Sequence, residues 1–127
     1  MPYKDKEKQR AYIKRHYEAN KPDYIARARA HDKKVTAKGR AWLLEYLLAN
    51  PCVDCGEADP IVLEFDHRPG SGKRFDVGAF ATGNYSFQSL LDEVAKCDVR
   101  CANCHRRITY QRSGRTSRGP ATSLADR

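Results

Sequence analysis

The chain has 127 residues, 31% of them charged, and a mean hydropathy of −0.79, which leaves room for one small core and an arm and excludes two full cores. No apolar run approaches the roughly 20 residues of a membrane span, and the start, Met1-Pro2-Tyr3-Lys4-Asp5, lacks the apolar stretch of a signal peptide. A cytoplasmic protein without a membrane partner is therefore expected. The net charge of +8 is unevenly placed: residues 1–50 carry 13 basic against 6 acidic side chains, residues 51–98 carry 4 against 9, and residues 99–127 carry 7 against 1. Basic flanks suit a polyanion such as nucleic acid, because each neutralised phosphate releases counterions. An acidic centre suits a cation, since clustered carboxylates repel one another unless something positive sits among them.

In chain order, Lys4 to about Ala19 reads as a charged helix, with Tyr12, Ile13 and Tyr17 spaced to lie near one another. Asn20-Lys21-Pro22 interrupts it, and Asp23 to Lys34 is helical again. This thinly apolar lead is either solvated surface or a phosphate-contacting arm, and His16 and His31 within it carry no assigned chemistry. Thr36 to Asn50 gives the strongest helix pattern, with Trp42-Leu43-Leu44 and Tyr46-Leu47-Leu48 at i, i+3 and i+4, ended by Asn50-Pro51. Trp42 is read as core. Ile61 to His67 is a strand by its β-branched and aromatic content, stopped by Arg68-Pro69-Gly70-Ser71-Gly72.

Phe75 to Val77 is a short extended piece by the same reading, followed by a polar loop to Tyr85. Ser86 caps a helix through about Lys96 that buries Phe87, Leu90, Leu91 and Val94. Asp98 to Arg100 is a short strand, Ala102 to Arg112 a final helix, and Ser113 to Arg127 a disordered basic tail. The expected organisation is a basic helical arm over residues 1–35, a metal-stapled domain over 36–112 that includes its leading helix, and the tail over 113–127. Gly70-Ser71-Gly72-Lys73 lacks the spacing of a phosphate loop and is set aside.

Four cysteines form two C-x-x-C pairs, Cys52/Cys55 and Cys101/Cys104. Each pair is a tight turn that presents two sulfurs to one ion, and four thiolates make a closed tetrahedral zinc site that holds structure. The 45 residues between the pairs exceed the roughly 15 to 20 of a simple zinc ribbon, so an insert lies between them. That insert carries Asp66-His67. Cys97 is left over and reads as a small buried residue. His105, directly after the second pair, taken alone could equally be inert or replace a thiolate in a site of three cysteines and one histidine.

Cys52-Val53-Asp54-Cys55-Gly56, Leu63-Glu64-Phe65-Asp66-His67 and Lys96-Cys97-Asp98-Val99-Arg100-Cys101-Ala102-Asn103-Cys104-His105-Arg106-Arg107 together resemble the zinc-knuckle branch of the HNH endonucleases, especially small phage and bacterial members. The resemblance covers about residues 51 to 110. It implies an α+β fold, the small ββα-metal domain stapled by a four-cysteine zinc site and preceded here by basic helices. It also implies His67 as general base, Asp66 and His105 as ligands of a catalytic Mg2+, Mn2+ or other divalent ion, and products with 5′-phosphate and 3′-hydroxyl ends. The implied substrate is double-stranded DNA, nicked or cut, in a bacterial cell or phage-infected host.

The chemistry is consistent with those roles. Phosphodiester hydrolysis needs an in-line water, a base and positive charge at the non-bridging and leaving oxygens, and a neutral imidazole is a suitable base near pH 7. Arg68, Lys73, Arg74, Arg100, Arg106 and Arg107 are candidates for phosphate contacts. Glu64 is either a supporting group or the strand's polar face. Two features stand against the pattern. Successive side chains of a strand point to opposite faces, so Asp66 and His67 should diverge unless the strand ends there. The family's middle Asn, which braces the loop between the strands, is replaced by Lys96-Cys97, leaving Asn84 or Asn103 as substitutes. The alternative reading is a non-catalytic zinc-binding module that binds nucleic acid.

Overall fold

Helix α1 (Lys6–Ala19) starts where the Asp5 carboxylate accepts the backbone N–H groups of Glu7 and Lys8, a side-chain cap for orphan donors. The computed structural model describes residues 5–120; Lys4, part of the first expected helix, and residues 121–127 of the expected tail lie outside them. Asn20 ends α1, its side-chain amide donating to His16 O at 2.8 Å. Helix α2 then runs unbroken over Lys21–Ala49, where two helices were expected. Between Lys34 and Thr36 the sequence holds no Pro or Gly to stop a helix, and intrinsic propensities there differ by only tenths of a kcal/mol.

The chain divides into two compact units, Met1–Val35 and Thr36–Arg127. In the first, α1 buries no residue. Its contact with the start of α2 is polar and aromatic: His16 Nδ1 lies 2.7 Å from Tyr24 Oη, and the Tyr17 and Tyr24 rings lie 5.4 Å apart.

The second unit is a small α+β domain. Strand β1 (Leu63–His67) pairs antiparallel with β2 (Cys97–Cys101) in the register Leu63↔Cys101 to His67↔Cys97. Ile61 and Val62, expected in the strand, instead form a single 3-10 turn with Pro60, closed by Asp59 accepting the Ile61 N–H at 3.0 Å; Ile61 is left 89% exposed. The piece from Phe75 to Val77 is not a strand either. Val77–Ala79 is a 3-10 turn with backbone bonds Ala79 N–H to Asp76 O and Phe80 N–H to Val77 O, which sends Phe75, Val77 and Phe80 inward.

Helix α3 (Phe87–Val94) is capped by Ser86 Oγ accepting the Ser89 N–H at 3.1 Å and buries Leu90 and Val94. Helix α4 (Ala102–Ser113) follows β2 without a linking residue and stops at Gly114 in the left-handed region, φ 69°. The segment expected to be a disordered tail turns back in its described part, where Tyr110 Oη donates to Gly119 O and accepts the Arg118 N–H at 3.1 Å. Among the described residues no helix is long and apolar enough to cross a membrane.

Two small cores result. Cys52, Leu63, Val99, Cys101 and Cys104 form one, with Tyr46, Leu47 and Phe65 packed against it. Phe75, Val77, Phe80, Leu90, Val94 and Cys97 are the other buried apolar side chains among the described residues, with Tyr85 stacked on Phe75 at 3.8 Å. Trp42 bridges Tyr46, at 5.2 Å, and Phe87, at 6.1 Å, in the structural role expected of it. Gly39 lets α2 approach Phe80: a Cβ there would sit 2.1 Å from the ring. Gly39→Ala in an open helix would gain about 1 kcal/mol of propensity. Here the overpacking outweighs that gain, and a net loss of about 1–3 kcal/mol is expected in urea unfolding.

Candidate metal centre and adjoining polar site

The first knuckle closes where Gly56, φ 77°, bends the chain and its N–H bonds Cys52 O at 2.9 Å. Val53 N–H then docks on Val99 O at 2.9 Å, which fixes the turn to the middle of β2. The second knuckle is the β2–α4 junction itself, with Cys101 Sγ accepting the Cys104 N–H at 3.4 Å as the cap of α4. These two turns bring the ligand atoms of Cys52, Cys55, Cys101 and Cys104 within 4.8 Å of one another. A tetrahedron of 2.3 Å zinc–sulfur bonds has edges of about 3.8 Å, and Cys55 Sγ stands 3.7 Å from Cys101 Sγ. The four residues fit one metal ion.

Their proton affinities are pulled apart by one another. Burial pushes the Cys52 thiol up, but hydrogen bonds with the backbone of Cys101, Cys55 and Asp54 overcome it and bring the value down to about 6. Burial, reinforced by the neighbouring sulfurs, pushes Cys104 up to about 12. Negative sulfurs this close are compatible only around a cation. Arg107 Nη1 lies 4.0 Å from Cys104 Sγ, a further positive charge on the cluster. Cys97 stays outside it, its thiol donating to Glu93 O at 3.4 Å and pushed by burial to about 11.

On the strand beyond the cluster, Glu64 and Asp66 share one face of β1 by its two-residue period. His105, one turn into α4, lies against both: its Nδ1 is 2.7 Å from Glu64 Oε2 and its Nε2 is 3.4 Å from Asp66 Oδ1. A carboxylate only accepts, so Nδ1 carries the proton and Nε2 is turned to Asp66. An imidazole nitrogen facing a carboxylate oxygen is held by a shared cation or by a second ring proton. Carboxylate, histidine, cation is also how ligating imidazoles are oriented in metal sites. Asp66 on β1 and His105 on α4 thus stand side by side, with Glu64 orienting the ring.

Asp66 is buried and accepts Arg100 Nη1 at 2.5 Å and Arg112 Nη1 at 3.0 Å. Arg100 is buried too and also bonds Asp54 at 2.7 Å. Arg68 donates to the carbonyls of Cys97 and Ala95 and pairs with Asp98 at 3.2 Å. Both guanidiniums are tied to fixed acceptors within the fold, Arg100 in the interior and Arg68 at the surface. Lys73 is exposed but paired with Asp76, while the side chains of Arg74 and Arg106 are exposed without an acidic partner among the described residues.

The alternation of β1 separates His67 from Asp66. Its Nε2 is buried without a hydrogen bond and lies 3.7 Å from Glu93 Oε1, so the structure groups Asp66 with His105 and places His67 with Glu93. At the position where the resembled pattern carries an Asn, this chain makes other ties. Lys96 Nζ donates to Gly72 O at 2.9 Å and pairs with Glu93 at 2.9 Å, while Glu93 accepts the Arg74 N–H at 3.1 Å. This pair braces the loop between the strands; Asn84 and Asn103 are exposed and make no hydrogen bond that could take over the task.

Sequence reasoning missed Glu93, Lys96, Arg112 and the firm role of Glu64. Spacing offered a partial signal, since Arg112 is two helical turns after His105 and Glu93-Lys96 is an i, i+3 pair. No family model, curated protein or solved structure matches the chain.

The protein is expected to hold one zinc ion per chain by elemental analysis. Cys101→Ser should lose the ion and the cooperative thermal transition, whereas Cys97→Ala should keep both. Burial alone would raise the Glu93 carboxyl, but the bonds from Lys96 and Arg74 outweigh it and hold it below the ordinary value of 4.5. A depressed carboxylate stabilises the fold above its unfolded pKa and loses that contribution as pH falls through the folded one. Glu93→Gln is therefore expected to cost about 1–3 kcal/mol at pH 7 and to flatten the fall of melting temperature below about pH 4.5.

Proposed function

We propose that this protein is a metal-dependent DNA endonuclease of the HNH type, hydrolysing phosphodiester bonds of double-stranded DNA. The observation that carries the reading is the pairing of Asp66 on β1 with His105 on α4 at 3.4 Å, with Glu64 fixing the imidazole. Two antiparallel strands leading straight into a helix, with a four-sulfur cluster at their junction, are what the ββα-metal arrangement requires.

In this reading Asp66 and His105 hold one divalent ion, Mg2+ or Mn2+. When bound, such an ion supplies positive charge to the non-bridging and leaving oxygens of the phosphate. His67 removes the proton from the attacking water, and its ring turns from Glu93 toward the Asp66 side to do so. It is the last residue of β1, and catalytic contacts commonly tighten only when substrate is bound. Glu93 stands on the far side, 3.7 Å from the ring nitrogen. The exposed cations Arg74 and Arg106 contact the DNA backbone without reading sequence. The zinc in the four-cysteine cluster fixes the distance between β1 and α4, a structural ion apart from the chemistry.

A second reading has one observation in its favour. With His67 turned to Glu93 rather than to Asp66, the chain could serve as a zinc-stapled nucleic-acid-binding module without cleavage. Plasmid nicking with added Mg2+ or Mn2+ separates the two. The endonuclease reading expects nicked product with 5′-phosphate ends and at least a 100-fold loss of rate in His67→Ala, with DNA binding retained. Full activity in that variant would falsify His67 as the base, and binding without cleavage at any divalent metal would favour the module.

A further inference from the structure

One face of α4 and the segment that follows it line an open cleft of roughly 610 Å³, with Asn103, Arg106, Arg107, Tyr110, Arg115 and Arg118 among its walls. Four guanidiniums line this one concavity and no carboxylate does. Among the described residues none of the four has an acidic partner. Like charges held together, with only the Cys104 sulfur near Arg107 to offset them, create a positive potential that an anion relieves.

The concavity is built rather than incidental. Gly114 reverses the chain at φ 69°, and Ser113 Oγ donates to Tyr110 O at 2.6 Å and accepts the Arg115 N–H at 3.2 Å. Tyr110 Oη then latches the returning strand through Gly119 O and the Arg118 N–H. The result swings Arg115 and Arg118 over the helix face that carries Arg106 and Arg107.

We propose that this hook is a clamp for the phosphodiester backbone of DNA, engaging phosphates on the face of α4 that carries Arg106 and Arg107. The proposal deepens the reading given above, since it takes DNA as the ligand, but its test measures binding and needs no cleavage.

The zinc-loaded protein is titrated into a fluorescently labelled DNA duplex without added Mg2+ or Mn2+, over a series of salt concentrations. The double variant Arg115→Ala/Arg118→Ala is expected to bind at least tenfold more weakly near 0.1 M salt, with the slope of log K against log salt reduced by about two. Tyr110→Phe keeps every charge but opens the latch, and should weaken binding several-fold. Zinc content verifies that both variants keep the fold.

Unchanged affinity in both variants would overturn the clamp, and so would loss in the double variant with none in Tyr110→Phe, which would mean charge without a built site. Pyrophosphate binding that the double variant abolishes, with DNA affinity untouched, would overturn it in favour of a small phosphate ligand. Weaker DNA binding in the variants, in a protein that never cleaves, would support the clamp and sink only the endonuclease.

Discussion

Four sulfurs gathered within 4.8 Å hold together elements that have little else to join them. The sheet has two strands of five residues each, and an isolated hairpin of that size is marginal in water. The apolar cluster around it is itself made largely of the ligands Cys52, Cys101 and Cys104, with Leu63 and Val99. Core and metal site are one object. Because Cys101 ends β2 and caps α4, any ion held there fixes the angle at which the helix leaves the sheet. The position of His105 over Asp66 follows from that angle, as His105 is the residue next to Cys104.

Charge inside the domain is tied together just as closely. Arg100 sits among Asp54, Asp66 and Asp98, and Arg112 reaches Asp66 from two turns along α4. A buried ion pair seldom adds net stability over an apolar substitute, but removing one partner leaves the other stranded at a cost of several kcal/mol. Asp66 is thus held in place by two guanidiniums, with the His105 ring at one of its oxygens. A cation arriving beside that oxygen would compete with Arg112, whose side chain is 33% exposed and able to leave, and not with the deeper Arg100.

The elements and the sulfur cluster were legible because their signals are local. Paired C-x-x-C turns, a β-branched run and an apolar i, i+3, i+4 pattern each specify their geometry within a few residues. What escaped depended on long-range neighbours. Arg68 and Arg100 look like free cations in the sequence, and only the fold shows their acceptors, 27 to 46 positions away. Ile61 looks like strand until Asp59 and Pro60 turn it outward. Lys96 looks like a departure from the resembled pattern, yet its long side chain reaches Gly72 from the position where a shorter amide was expected.

The divergence of Asp66 and His67 is the sharpest case, because both the pattern and its difficulty were visible in two adjacent letters. Alternation along a strand is a steric rule with no cost to obey, so β1 places His67 beside Glu93 unless something draws it away. Glu93 is itself occupied by Lys96 and the Arg74 N–H, and the 3.7 Å separation from His67 Nε2 is beyond a hydrogen bond. The imidazole is therefore parked rather than bonded, with a buried nitrogen lacking a partner. A buried polar atom left in that state costs about 1–3 kcal/mol, and a rotation that delivers it to a water molecule recovers that amount. Among the described residues, the side chain with a buried atom lacking a hydrogen bond is also the one whose movement the proposed chemistry requires.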